Sequence, residues 1–190
     1  MHVAIVNNSS LSPDNIISLL KENTYEIFDY SRANEINCKN FDLLILSGSS
    51  QFPIEFNKEK LAAEITLIQS CAIPTVGICY GCELITVAFG GTLKDRGEGT
   101  QERASIRIDV IVDDPIFLGR KDFLAYDAHR WIVDQTSPVI EVLAESVHGP
   151  EVVRHTKYPI YGFQFHPERM QDKTFGDEIF EAFINQYVRI

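Results

Sequence analysis

Short apolar runs alternate with amphipathic stretches through the first half of the chain. Strands are predicted at four runs rich in apolar residues, 3–6, 25–28, 41–46 and 75–78. Ser12-Pro13 predicts the N-cap and first turn of a helix that continues to residue 20, and apolar positions at helical spacing predict another over 58–69. Strands that alternate with helices imply crossover connections, and hence a parallel sheet with helices on both faces.

The second half of the chain has a different pattern. Residues 105–112 alternate between apolar and polar positions, as in a strand with one covered face. Further short strands are predicted at 123–126, 139–144, 151–155 and 160–165, and an amphipathic helix at 177–188. The chain contains no repeat, low-complexity tract or evident linker. We therefore expect one domain over residues 1–190 with an α/β fold: a three-layer sandwich whose mostly parallel central sheet carries antiparallel additions in the second half.

Composition and charge exclude several classes of function. The chain has 190 residues, 45% hydrophobic and 23% charged, which suits a globular domain with a sizeable core. A net charge of −10 argues against nucleic-acid or anionic-membrane partners. No apolar stretch approaches the roughly 20 residues of a membrane span, and the first residues lack the basic region of a signal peptide. The four cysteines lack framework spacing, so Cys38 and Cys71 are expected to be core thiols and the location cytoplasmic.

The most informative motif is Gly77-Ile78-Cys79-Tyr80-Gly81, which lies between the predicted strand 75–78 and a helical stretch at 83–89. A glycine two residues before and two after a single nucleophile predicts a sharp strand-to-helix turn, because a side chain at either glycine would collide with a neighbouring element. The turn also places the Cys79 sulfur at a helix N-terminus, where free N–H groups and the helix dipole favour a thiolate.

A second motif, Phe165-His166-Pro167-Glu168, supplies an imidazole and a carboxylate at the end of a later apolar run. Cys79 as nucleophile, His166 as base and Glu168 as orienting acid would form a cysteine-dependent acyl-transfer site. Cys79 and Cys82 also have the C-x-x-C spacing of a redox pair, but a redox role leaves the glycines and the second motif unexplained. No second pair of metal ligands has suitable spacing, so we expect neither a metal nor a cofactor.

In these residues the chain resembles class I (triad) glutamine amidotransferases, most of all the glutaminase subunit or domain of GMP synthase. The resemblance covers nearly all 190 residues, including the cysteine turn, Gly90-Gly91 and the His-Pro-Glu motif. It implies a flavodoxin-like sandwich and hydrolysis of the glutamine side-chain amide through a glutamyl thioester. Cys79, His166 and Glu168 would be catalytic, and backbone N–H groups of Tyr80 and around Gly48 and Ser49 would form the oxyanion hole.

The chain departs from the family pattern at three places. The turn Gly48-Ser49-Ser50-Gln51 replaces a Gly-Gly-Pro sequence, and Glu83 replaces a Gln that helps to hold the amino-acid end of glutamine. Ala128-His129-Arg130-Trp131 replaces the Ser-His-x-Asp of GMP synthases. The resemblance thus implies that the substrate-binding candidates are Glu83, His129, Arg130 and Trp131. Trp131 would either pack in the core or form a pocket wall.

Three hypotheses on function remain open. The first is a glutaminase subunit that passes ammonia to a separate synthetase, since no phosphate-binding loop or acceptor domain is recognisable. The second is a hydrolase of γ-glutamyl amides or peptides that needs no partner, and the third a catalytically idle regulatory domain. The segment Lys94-Asp95-Arg96-Gly97-Glu98 is interpreted mainly as a solvated turn, and its position in the family pattern implies as the alternative a lip of the pocket or a partner surface.

Overall fold

A nine-stranded sheet forms the centre of the molecule in the computed structural model, which describes residues 1–9, 13–100, 103–170 and 173–188. The strands are β1 (His2–Asn7), β2 (Thr24–Asp29), β3 (Leu43–Leu46), β4 (Thr75–Ile78), β5 (Thr92–Asp95), β6 (Ala104–Val110), β7 (Asp122–Asp127), β8 (Trp131–Gln135), β9 (Ile140–Ser146), β10 (Gly149–His155) and β11 (Ile160–Phe163). The helices are α1 (Asp14–Leu19), α2 (Ala62–Ser70), α3 (Tyr80–Ala88) and α4 (Gly176–Tyr187).

The sheet has a parallel half and an antiparallel half. Its order is β2-β1-β3-β4-β11-β10-β9-β6-β7; the first five strands are mutually parallel and the pairs from β11 onward are antiparallel. The predicted α/β class, with a mostly parallel sheet and antiparallel additions, is confirmed. Because β3, β4 and β11 are parallel neighbours, their carboxyl ends meet at one edge of the sheet, where α/β proteins bind ligands.

Two apolar clusters cover the two faces of the sheet. Side chains alternate along β1, so that Val3 and Ile5 lie in one cluster with α1 and α4, whereas Ala4 and Val6 lie in the other with α2 and α3. All four of these β1 side chains are completely buried. The continuous apolar runs of the sequence therefore mark strands that are covered on both faces.

One pair of strands was not predicted. β5 and β8 form a separate two-stranded antiparallel sheet, so the interpretation of Lys94–Glu98 as a solvated turn was wrong for Lys94 and Asp95. In β5 only Leu93 is buried, and a short strand with one buried residue has too weak an alternation to be recognised. α1 starts directly after Pro13, whose carbonyl accepts from the Ile17 N–H at 2.9 Å, while the predicted N-cap Ser12 lies outside the described residues.

The structure contains a disulfide that was not predicted from the sequence. Cys38 and Cys71 are bonded across a sequence separation of 33, so the expectation that both are core thiols was wrong. The bond joins the short 3-10 turn before β3 to the residue after α2, two segments whose proximity depends on tertiary structure. Cys79 and Cys82 are free and buried. Within the described ranges, no helix has the length and apolar character that membrane crossing requires. Cytoplasmic location stays a prediction.

Candidate active site

The cysteine turn has the sharp geometry predicted from its glycines. Cys79 follows β4 with φ 52° and ψ −104°, a conformation that non-glycine residues rarely adopt. A Cβ on Gly77 would lie 2.3 Å from the carbonyl carbon of Gly81, and one on Gly81 would lie 2.4 Å from the Leu46 carbonyl oxygen. Both contacts are with backbone atoms, which cannot shift without a large energetic cost. The predicted steric need for glycine at both positions is confirmed.

The structure brings Cys79 and His166 together. Cys79 follows β4, and His166 lies just beyond the neighbouring parallel strand β11. A Cβ built on Gly48 would be 3.5 Å from Cε1 of His166 and 3.7 Å from Cβ of Cys79, so both side chains border the same small space. Nδ1 of His166 lies 2.7 Å from Oε1 of Glu168. With Nδ1 donating to that carboxylate, Nε2 is the nitrogen left to accept a proton.

The surroundings of Cys79 disfavour ionisation of its thiol. Burial, followed by the negative charges of Glu83, Glu168 and Asp127, raises the pKa of Cys79 well above its usual range. This direction is opposite to the expected effect of the helix N-terminus. Desolvation and the carboxylates at the same edge of the sheet both disfavour the thiolate.

Hydrogen bonds from the buried residue Asn8 hold the Ser-Gly turn after β3 in place. The Asn8 N–H donates to Oγ of Ser47 at 2.9 Å, and the Asn8 side-chain amide donates to the Ser47 carbonyl at 3.2 Å and to Oε1 of Glu64 at 3.0 Å. Gly48 and Ser49 follow directly and line the cleft. Tyr80 is the first residue of α3, so its N–H has no partner within the helix. Backbone N–H groups from two elements, the Gly48–Ser49 turn and the first residue of α3, thus lie at the cleft beside Cys79.

A cleft of about 720 Å³ opens at this edge of the sheet. Every predicted site residue lines it: Gly48, Ser49, Cys79, Tyr80, Glu83, His129, Arg130, Trp131, His166 and Glu168. Trp131 forms part of the cleft wall and meets the exposed ring of Phe56 edge-on at 6.5 Å between centroids. Arg130 is held at the rim by both carboxylate oxygens of Asp95, one of them at 2.6 Å.

Glu83 is a buried carboxylate in the cleft wall. It is 5% exposed, and its Oε1 accepts from the side-chain amide of Gln164 at 3.1 Å. Burial raises the pKa of Glu83 to about 7, although the Gln164 hydrogen bond and the nearby charge of His129 act in the opposite direction. Glu83 is therefore part protonated and part ionised near neutral pH.

His129 sits in a buried ionic cluster whose acids were not predicted from the sequence. Its Nδ1 lies 2.8 Å from the Trp131 carbonyl, and its Nε2 lies 3.0 Å from Oδ1 of Asp127 and 3.5 Å from Oε1 of Glu151. Burial lowers the pKa of His129, but the two carboxylates outweigh that effect and raise it to about 10. His129 is thus a cation that two buried acids share. In the sequence, Asp127 follows the predicted strand 123–126 and Glu151 begins the predicted strand 151–155, and no local signal pairs them.

Among the residues that the structure describes, no group of three or more His, Cys, Asp or Glu side chains could hold a metal ion. The reactive groups that line the cleft are a thiol, an imidazole and carboxylates.

Comparison with known proteins decides the family. The sequence family described as Glutamine amidotransferase class-I matches residues 4–186. The chain belongs to this family. The resemblance inferred from the sequence, and with it the enzyme class, is confirmed.

Relatives of this amidotransferase include GMP synthase subunits that are named as glutamine-hydrolysing. One from Methanococcus maripaludis strain S2 is 37% identical over 142 residues, covering 74% of this chain and 70% of the relative. Another, from Methanobrevibacter smithii, is 30% identical over 188 residues, covering 96% of this chain and 94% of the relative. The similarity to these proteins persists although Trp131 replaces the Asp of the GMP synthase pattern.

Solved structures show the same fold. The crystal structure of a candidate GMP synthase subunit from Thermoplasma acidophilum superposes with a TM-score of 0.84 at 24% identity, covering 97% of this chain and 92% of the other. A glutamine amidotransferase from Thermotoga maritima gives a TM-score of 0.72 at 18% identity, covering 98% and 82%. At these identities the likeness establishes the fold and nothing further.

Proposed function

We propose that this class-I amidotransferase is a glutaminase subunit of a two-component synthetase. Its single domain would hydrolyse the side-chain amide of glutamine with Cys79, His166 and Glu168 and release ammonia for a separate subunit. The observation that carries the proposal is the placement of the Cys79 and His166 side chains around one point beside Gly48, with His166 Nδ1 2.7 Å from Glu168.

In the first half-reaction, Sγ of Cys79 attacks the amide carbonyl carbon while Nε2 of His166 takes the thiol proton. Proton transfer during attack suits a thiol whose ionisation is disfavoured by burial and by nearby carboxylates. The carbonyl oxygen becomes an oxyanion that the N–H groups of Tyr80 and the Gly48–Ser49 turn stabilise. His166 then gives its proton to the leaving nitrogen, the C–N bond breaks, and ammonia departs from a glutamyl thioester.

In the second half-reaction, Nε2 of His166 takes a proton from water, and the resulting hydroxide attacks the thioester carbonyl. The C–S bond breaks, the proton returns to sulfur, and glutamate leaves. Throughout both steps Glu168 keeps the proton on Nδ1 and stabilises the imidazolium form of His166.

The relatives named as GMP synthase subunits support the partner, because a protein designated as a subunit works with another chain. We propose the same arrangement here, with glutamine as substrate and a separate synthetase as ammonia acceptor. A cytoplasmic location is part of this proposal.

Glutamate release tests the chemistry. Wild type should turn over glutamine and should form an adduct on Cys79 with a diazo-ketone analogue of glutamine, and Cys79→Ser should do neither. Addition of a candidate synthetase with its substrates should raise glutamine turnover. Full glutaminase activity in Cys79→Ser would contradict the nucleophile assignment, and turnover indifferent to every synthetase would contradict the partnership.

A second function, hydrolysis of larger γ-glutamyl amides without a partner, is favoured by one observation. The cleft of about 720 Å³, which Trp131 helps to line, offers room for a bulky group on the amide nitrogen. A panel of γ-glutamyl anilides and peptides, compared with glutamine by kcat/KM, discriminates the two functions. Preference for glutamine supports the glutaminase, and preference for a conjugate supports the hydrolase.

A further inference from the structure

Ser47, the last residue before the cleft turn, has a hydrogen-bond partner for each of its polar groups and is completely buried. Its N–H donates to the Val6 carbonyl at 3.0 Å, and its carbonyl accepts from the Asn8 side-chain amide at 3.2 Å. Its hydroxyl oxygen accepts from the Asn8 N–H at 2.9 Å and donates to the Gly48 carbonyl at 3.0 Å. Because the hydroxyl accepts one bond and donates another, its proton has a fixed direction.

Asn8, which holds Ser47, is anchored in turn by a buried carboxyl group. The side-chain amide of Asn8 has two N–H donors, and it uses them on the Ser47 carbonyl and, at 3.0 Å, on Oε1 of Glu64. Asn8 follows the last residue of β1, and Glu64 belongs to α2. The hydrogen bonds thus connect the Gly48 carbonyl to a strand end and to a helix, both of which are parts of the rigid frame.

The bond from the Ser47 hydroxyl also sets the direction of the next N–H group. The Gly48 carbonyl and the Ser49 N–H belong to one planar trans peptide unit, in which the two groups point in opposite directions. Since the carbonyl is turned toward Ser47, the Ser49 N–H points away from Ser47. Ser49 lines the cleft, and among the hydrogen bonds of the described residues none has this N–H as its donor.

The sequence of the turn leaves the orientation of this peptide to side chains. Ser50 stands where the family pattern has a proline, whose ring would restrict the backbone. Gly48 has no side chain and can adopt a wide range of backbone angles. Rotation of the peptide between Gly48 and Ser49 would exchange its two polar groups, and a carbonyl oxygen facing the cleft would repel an oxyanion.

We propose that Ser47 is a positioning residue of the oxyanion hole: its hydroxyl, held by Asn8, keeps the Ser49 N–H directed at the oxyanion that forms during attack by Cys79. This role rests on the proposed function, to which it adds a residue that acts through Ser49 without touching the substrate. An interaction that matters only in the transition state affects kcat and leaves KM nearly unchanged.

Ser47→Ala tests this role, because it removes the hydroxyl and keeps the backbone hydrogen bonds of residue 47. Loss of a whole oxyanion donor lowers kcat by about a hundredfold to a thousandfold, so a donor that is merely misdirected should cost about tenfold or more. KM for glutamine should stay within about twofold. Both constants are measured by glutamate release.

Thr75→Val is the matched control. Thr75 is also completely buried, and its hydroxyl donates to the Ile73 carbonyl at 3.1 Å. It lies at the amino end of β4, whereas the cleft lies beyond the carboxyl end of the same strand. The control therefore loses a buried hydroxyl without a connection to the turn, and its kcat should remain within about twofold of wild type.

Two thiol reagents separate misdirection of the Ser49 N–H from general damage to the cleft. With glutamate γ-semialdehyde, the aldehyde analogue of glutamine, Sγ of Cys79 bonds to the aldehyde carbon as the carbonyl π bond breaks. The thiol proton passes to His166, and the aldehyde oxygen is left as an oxyanion. Iodoacetamide instead alkylates the sulfur with loss of iodide and creates no oxyanion.

Ser47→Ala should raise the apparent inhibition constant of the aldehyde by about tenfold or more and change the rate of alkylation by iodoacetamide by less than about threefold. Cyclisation of the free aldehyde is the same in every assay and cancels in the comparison between variants.

The wild-type protein supplies a measurement that requires no variant to fold. When the aldehyde binds, the assigned amide proton of Ser49 should shift downfield in the nitrogen-edited NMR spectrum, because it gains a hydrogen bond to a charged oxygen. A Ser49 amide proton that does not move would contradict the direction assigned to this N–H.

The outcomes distinguish the role of Ser47 from the proposed function. A fall in kcat and in aldehyde affinity, with KM, the iodoacetamide rate and Thr75→Val unaffected, supports the positioning role. If Ser47→Ala keeps its kcat, or if its KM and iodoacetamide rate change together with kcat, the positioning role is overturned and the glutaminase remains. If wild type neither hydrolyses glutamine nor is inhibited by the aldehyde, the proposed function itself is overturned.

Discussion

Glu64 lies in the protein interior behind the Ser-Gly turn, and Glu64→Gln should remove a large pH-dependent loss of stability. Its carboxyl is fully buried and accepts from the Asn8 side chain, the residue that fastens Ser47. Burial raises the pKa of Glu64 from 4.5 to about 8. Glutamine keeps the accepting oxygen toward Asn8 but cannot ionise.

The sign follows from proton linkage. Between pH values of about 5 and about 7.5 the unfolded chain has released the Glu64 proton while the folded protein retains it, so stability falls as pH rises. At about 1.4 kcal/mol per pH unit, this carboxyl removes about 3 kcal/mol from the free energy of unfolding over that interval. Below pH 4.5 the two states hold the proton equally, and wild type and variant should have similar stability.

Urea unfolding at a series of pH values measures the effect. The free energy of unfolding of Glu64→Gln minus that of wild type should grow by about 3 kcal/mol from about pH 5 to about pH 7.5. Taking the difference removes the contributions of Glu83 and His129, which both proteins share. Glu59→Gln, a change at an exposed carboxylate just before the same helix, is the matched control and should follow wild type. A difference that does not vary with pH would refute the assignment of a buried, protonated Glu64.

Three further predictions concern the site and its frame. Gly81→Ala should cost about 3 kcal/mol or more in unfolding free energy, because its Cβ would lie 2.4 Å from a backbone oxygen. Gly48→Ala, whose Cβ meets its neighbours at 3.5 Å or more, should keep stability but lose glutaminase activity, so equal stability losses in the two variants would contradict the geometry. Glu168→Gln should lower kcat about a hundredfold with little change in KM, and Glu168→Asp should lower kcat less. An unchanged kcat in Glu168→Gln would exclude the orienting role of Glu168. Reduction of the Cys38–Cys71 disulfide, which spans a sequence separation of 33, should lower the free energy of unfolding by about 3–4 kcal/mol. Unfolding with and without dithiothreitol measures this loss. Cys71→Ser is the control, and its stability should not depend on the reductant.

Local rules made the nucleophile turn predictable. The glycines around Cys79 are required by contacts of 2.3 and 2.4 Å with backbone close by, and such steric demands are written in a few adjacent residues. The buried strands were equally easy to predict, because a strand covered on both faces is apolar at every position. The His166–Glu168 contact spans two residues and follows from the motif itself.

Features that depend on distant pairings escaped prediction. Nothing near Cys38 indicates Cys71, since their meeting depends on how α2 packs against the preceding turns. Asp127 and Glu151 lie on different strands and approach His129 only after the sheet has formed. The surroundings of the Cys79 thiol escaped prediction for the same reason. A helix N-terminus is visible in the sequence, whereas burial and three converging carboxylates are visible only in the fold.

The parallel pairing of β4 with β11 limits how a partner could control this protein. Residues in the two strands are hydrogen-bonded in register up to Ile78 and Phe163. Cys79 follows Ile78 directly, and His166 lies three residues after Phe163, where its N–H donates to the Tyr126 carbonyl at 2.9 Å. The distance between Cys79 and His166 is therefore set by the spacing of the two strands, and docking of a partner subunit should not change it. An activating subunit has to act instead on parts carried by connections, namely the Gly48–Ser49 turn and the segment with His129 and Trp131. Stimulation should then appear as a change in oxyanion stabilisation or substrate retention, with the proposed nucleophile Cys79 and the proposed base His166 unmoved.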